Sequence, residues 1–166
     1  MGYASGTQVE VEQSRAEIER VICRYGADQY IAGFQEGEAI VLFRRGGKHV
    51  KFVLPLPSIN SREVTHTPAG KKRMQSQLPK ALRDETKRRW RALLLLVKAK
   101  LEAVASGITE FEDEFLAHIV LPSGQSVSKW LRPQIDQAYE SGRMPSNLLA
   151  LPAPSSDESE TPRQER

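Results

Sequence analysis

Residues 29–57 read QYIAGFQEGEAIVLFRRGGKHVKFVLPLP, and the alternation within them decides the fold. Gln29–Gln35 places Tyr30, Ala32 and Phe34 on one face of a strand, since side chains in a strand alternate with period two. Ala39–Arg44 is apolar on both faces, as a central strand is. Lys48–Leu54 places Val50, Phe52 and Leu54 against His49, Lys51 and Val53. The connections Glu36-Gly37-Glu38 and Arg45-Gly46-Gly47 are short and carry glycine, so the three strands form an antiparallel meander. Pro55 and Pro57 end it.

Upstream, Ser14-Arg15-Ala16-Glu17 has the form of a capping box, in which the hydroxyl and the carboxylate satisfy two backbone donors reciprocally. It predicts a helix over Arg15–Tyr25 with Ile18, Val21 and Ile22 inward and Gly26 as its left-handed terminus. Residues 1–13 are expected as an irregular lead-in, with Thr7–Val11 able to form a short edge strand. Downstream, residues 58–77 are polar and carry Pro68-Ala69-Gly70, which suggests a mobile loop. A long helix is expected from Pro79 to Ala105, with proline in its first turn and Gly107 stopping it. Leu82, Trp90, Leu93, Val97, Leu101 and Val104 follow helical spacing toward the sheet. Leu94, Leu95 and Leu96 widen the apolar surface beyond one stripe, so the Leu93–Val97 surface is either covered on several sides or engaged with a second copy. Thr109-Glu110-Phe111-Glu112 predicts a second capped helix. His118–Leu121 and Ser126–Val127 flank a turn and predict a small hairpin. A final helix is expected over Ser128–Ser141, with Pro133 kinking it or trimming its start.

The reading is therefore an α+β fold. It has an N-terminal helix, a three-stranded antiparallel meander, a long basic helix, a short hairpin and a C-terminal helix. One domain covers residues 14–145, and the Pro-, Ser- and Glu-rich residues 146–166 are expected as a disordered tail.

Charge carries the functional signal. The whole chain has a formal charge of +3, but residues 71–100 hold eleven Lys and Arg against two acids. The remaining 136 residues hold thirteen basic and nineteen acidic groups. Lys80, Arg83, Lys87, Arg91 and Lys98 recur at helical spacing within a sector of roughly 80°, over about 27 Å of helix. Such a stripe suits the phosphates of a polynucleotide. Arg88, the loop residues Lys71, Lys72 and Arg73, and the strand-turn residues Arg44, Arg45, Lys48 and Lys51 are candidates to extend it. The competing reading is a solvated helix face, but surface helices ordinarily mix signs because Glu–Lys pairs stabilise them. Tyr30, Phe34, Phe43 and Phe52 could stack on bases; as strand residues they equally suit the core.

Other chemistry finds little footing. Glu110, Glu112, Asp113 and Glu114 complement a helix dipole at a first turn. His49, His66 and His118 are scattered, with no paired cysteines, so neither a metal nor a cofactor site is expected. Cys23 is expected as a buried thiol. No nucleophile–base set and no phosphate loop is legible. The single cysteine, the lack of a secretory pattern and the lack of a long apolar run suggest a cytoplasmic protein without a membrane partner.

Four segments bring a resemblance. Ser14–Arg20, Lys51-Phe52-Val53-Leu54-Pro55-Leu56-Pro57, Arg89-Trp90-Arg91-Ala92-Leu93 and Phe115–Pro122 resemble a family of small proteins of tailed-phage and prophage genomes, over about residues 3–145. The resemblance implies a phage-type genome context inside a host cell, and it brings no functional residue with it. The order α-β-β-β-α is also similar to that of double-stranded-RNA-binding domains and of the core of phage single-strand annealing proteins. Lys71-Lys72-Arg73 lies several residues too early for the lysine signature of the former. Two functions are expected to compete: an accessory nucleic-acid binder, and an interaction module for a host or phage protein.

Overall fold

A computed structural model describes residues 5–143, with the backbone alone considered for residues 5–10. The expected tail over residues 146–166 lies outside the described residues. The chain divides between Ser128 and Lys129 into two units.

The first unit is the expected α+β fold. α1 (Ser5–Arg24) is followed by β1 (Gln29–Gln35), β2 (Glu38–Arg45) and β3 (Lys48–Pro55). The strands form one antiparallel sheet in the order β1-β2-β3, with Tyr30 opposite Phe43 and Phe43 opposite Val50. Both hairpins turn on two residues at positive φ, Glu36-Gly37 and Gly46-Gly47. That geometry matches the twist of the flanking strands. Then come α2 (Arg62–Thr65), α3 (Leu78–Ala105) and α4 (Phe111–Phe115).

α1 and α3 pack on each other and share one face of the sheet, α1 against β1 and α3 against β3. The contacts Glu17–Lys98 and Tyr25–Glu102 run in the same order along both helices, so the two are parallel. Between helices and sheet lies the core: Ile18, Ile22, Val41, Phe43, Val50, Phe52, Trp90, Val97, Leu101 and Phe115 are all buried. Phe115 sets its ring edge-on to Phe43 and Phe52 at 5.8 and 6.2 Å and joins α4 to the sheet. Ile119 and Val120 then seat on the outer edge of β3, where the Val120 N–H donates to the His49 carbonyl at 2.8 Å. Pairing there covers strand groups that would otherwise be open.

Five expectations are corrected. The lead-in is helical: α1 begins at Ser5, and Val11 continues the buried stripe of Ile18, Val21 and Ile22. Ser14 therefore lies inside the helix and caps nothing. Cys23 is exposed, because it follows the inward pair Val21-Ile22 and turns off their stripe. Residues 58–77 are a hydrogen-bonded knot in place of a loop. Val64 is fully buried, His66 bridges Lys72, and the Arg73 guanidinium donates to the carbonyls of Glu63, Val64 and His66. The helix after Gly107 is capped at Glu110, not Thr109, with no side-chain cap bond. The expected hairpin is reduced to one bridge, Val120 to Ser126.

The second unit consists, among the described residues, of most of α5 (Val127–Ser141). The helix runs through Pro133 without losing its start, and none of its residues is buried.

His118 links this packing to pH. Its ring lies 4.2 Å from that of Phe52, and burial, then the Lys100 charge, holds its pKa below the ordinary 6.5. Below pH 6.5 the unfolded chain takes up this proton before the folded chain does. The His118 contribution is thus present at neutral pH and lost as pH falls from 6.5 toward the lowered folded value. Denaturation midpoints are expected to fall between pH 7.5 and 5.5, and to fall less in His118→Gln.

Candidate nucleic-acid interface

The thirteen candidate cations fall on separate surfaces. Arg44 and Lys51 share with Ile40 and Leu42 the face of the sheet that the helices leave open. Arg44 is held there by Asp28 at 2.8 and 3.0 Å. Arg45 and Lys48 flank the second hairpin beside α4. There Arg45 covers the Phe111 ring at 4.6 Å and Lys48 pairs with Glu112 at 2.6 Å. Arg73 is committed to the three carbonyls above. None of these five extends the helical stripe.

On α3 the stripe survives in part. Lys98 is tied to Glu17 of α1, whose carboxyl is held below its usual range chiefly by that hydrogen bond. Arg88 is turned away from the stripe and chelates Glu85 through Nε and Nη2, at 2.8 and 2.6 Å. Glu85 is the one buried charged residue among those described, and Arg88 lowers its pKa despite the burial. Arg89, which the sequence did not single out, is the hub behind it. It reaches Glu85, Glu63 and the Pro55 carbonyl, joining α3 to α2 and to the end of β3. Its signal was present in the sequence only as one more charge among eleven.

What remains is a flank. Lys80 and Arg91 are exposed, Arg83 is half-buried, and among the described residues none of the three forms an ion pair. Lys87 lies between them. Arg91 also lends its charge to Glu17. From Lys80 to Arg91 the flank runs about 17 Å, the span of about five nucleotides along a duplex strand at 3.4 Å each. Lys71 and Lys72 are exposed on the knot that precedes α3. Beside the flank, an open cleft of about 350 Å³ is lined by Lys80, Asp84, Gln77 and Thr67.

The aromatic candidates are not a stacking platform. Phe43 and Phe52 are buried in the core. Tyr30 is half-buried, donates to the Arg15 carbonyl at 3.3 Å, and has its pKa pushed up to about 12 by burial. Phe34 is 59% exposed but rests edge-on against Trp90 at 6.4 Å, beneath Arg15.

Among the described residues no cluster of metal-ligating side chains occurs, and no helix is long and apolar enough to cross a membrane. Comparison with protein-family models, curated proteins and solved structures finds no match. The fold and the flank therefore define the class: an α+β domain with two parallel helices on one face of a three-stranded meander and a cationic edge on the longer helix.

Proposed function

We propose that this protein binds single-stranded DNA or RNA through its phosphate backbone, along the Lys80–Arg91 flank of α3. The observation that carries the reading is the lack of ion pairs at Lys80, Arg83 and Arg91 in a chain that pairs Arg44, Lys48, Arg88, Arg89, Lys98 and Lys100 with acids. Cations left without acids form a field that attracts polyanions. With Phe43 and Phe52 buried in the core and Phe34 set edge-on against Trp90, recognition runs through charge and is indifferent to sequence. The phage-type context and the host-cell cytoplasm belong to the same proposal and rest on the resemblance alone.

The test is a gel shift with labelled single strands of several sequences and a duplex of equal length, at low salt. Retardation of the single strands irrespective of sequence is expected. Unshifted bands at low salt would end the reading.

A second reading has its own support. α5 carries Leu131, Ile135, Ala138 and Tyr139 at steps of four, three and one, an apolar stripe on which Ile135 and Tyr139 are exposed and which suits a protein groove. On that reading a host or phage protein is the partner. Ile135→Ala combined with Tyr139→Ala would then abolish complex formation while leaving nucleic-acid binding intact.

A further inference from the structure

Leu93, Leu94 and Val97 are committed to the core, whereas Leu95 and Leu96 are 57% and 44% exposed. Extending from Leu95 along α3, the positions Arg88, Ala92, Leu95, Ala99 and Glu102 recur at steps of 4, 3, 4 and 3. All five are exposed. This is the spacing of the two-position seam by which one helix packs against another. At 100° per residue the seam is centred about 180° from Trp90, Val97 and Leu101, the side that meets the sheet. Its centre is leucine, flanked on each side by an alanine that permits close approach. Its ends carry opposite charges.

We propose that this seam binds a second copy of the chain, antiparallel, with the two-fold axis at Leu95. In that register Leu95 meets its counterpart and Ala92 meets Ala99 of the second copy. Arg88 meets Glu102 of the second copy at both ends. The charges choose the direction: a parallel pair would set Arg88 on Arg88 and Glu102 on Glu102, and like charges at an interface are repelled. The needed valences are present. Arg88 uses Nε and Nη2 on Glu85, leaving Nη1. Glu102 accepts from the Tyr25 hydroxyl through Oε2 at 2.5 Å, leaving Oε1. Leu96 closes one side of the seam. Arg91 and Lys98 lie along the other. The inference goes beyond the nucleic-acid reading and does not depend on it, because none of the five seam residues belongs to the phosphate flank, although Arg91 of the flank borders the seam.

Sedimentation without nucleic acid reads the association, and cysteine cross-linking reads the direction. The wild type is expected to dimerise. Arg88→Glu and Glu102→Arg are each expected to weaken association at least about tenfold, and the combined charge swap to restore it. In a Cys23→Ser background, Leu95→Cys is expected to oxidise to a covalent dimer. Arg88→Cys is expected to remain monomeric under the same conditions, since the antiparallel register separates its two copies by about 21 Å along the axis. Cross-linking at both positions would indicate a parallel pair and overturn the proposal. A monomeric wild type, or a swap that fails to restore association, would overturn it as well.

Discussion

Trp90→Ala is expected to lower the free energy of unfolding by about 3–5 kcal/mol, a large part of the roughly 5–15 kcal/mol available to a domain. Trp90 is the largest fully buried side chain. It stands where three elements converge, with α3 beneath it, the Phe34 ring of β1 at 6.4 Å and the Arg15 guanidinium of α1 at 5.8 Å. These elements are fixed by the meander and by the α1–α3 packing, so they cannot collapse into the space left by alanine. The indole adds a second point. Its Nε1–H is buried and has no hydrogen-bond partner among the described residues. An unmet donor costs about 1–3 kcal/mol, and phenylalanine does not carry one. Trp90→Phe is therefore expected to lose less than half of what alanine loses. Urea unfolding followed by far-ultraviolet circular dichroism measures both. A loss below about 1 kcal/mol for alanine would mean that the indole does not hold these elements together.

Arg83→Glu combined with Arg91→Glu is expected to weaken binding to a single strand on the order of 100-fold at low salt. Each charge-assisted contact to phosphate contributes about 1.5 kcal/mol at the low end. Losing two gives about 3 kcal/mol, or two factors of ten, before the repulsion of the new carboxylates. Neither residue forms an ion pair that the fold requires, so thermal stability should stay close to that of the wild type. Arg44→Glu is the control. It lies on the open face of the sheet, and its loss should leave affinity within about twofold of the wild type if the flank on α3 is the site. Equal losses from Arg44→Glu and from the α3 pair would spread the binding over the whole surface and remove the flank as a site.

The meander was legible because two signals agreed. Alternation fixed the faces of β1 and β3, and two short glycine-bearing connections fixed the register. The long helix was legible from Leu82 to Val104 for the same kind of reason, an apolar period bounded by proline and glycine. What misled was local chemistry without its tertiary setting. Ser14-Arg15-Ala16-Glu17 satisfies a capping pattern, yet Val11 lies one buried turn further out and carries the helix past it. Residues 58–77 look like a loop by composition. Arg73, read as a free charge, instead gathers three carbonyls and orders the segment. The site was legible only in outline. Helical spacing put Lys80, Arg83 and Arg91 on one flank, but partners distant in sequence decide which charges remain open. Glu17 takes Lys98, Glu112 takes Lys48 and Asp28 takes Arg44, and none of these pairs is visible in a local pattern.

The most direct measurement is the salt dependence of binding. Fluorescence anisotropy with a labelled single strand gives the observed association constant across a series of salt concentrations. Three phosphates neutralised by Lys80, Arg83 and Arg91 predict that its logarithm falls linearly with the logarithm of salt concentration, with a slope near −2 or steeper. The Arg83→Glu, Arg91→Glu protein should show a slope shallower by about 1.4. A flat dependence, or a slope unchanged by the two reversals, would contradict the account.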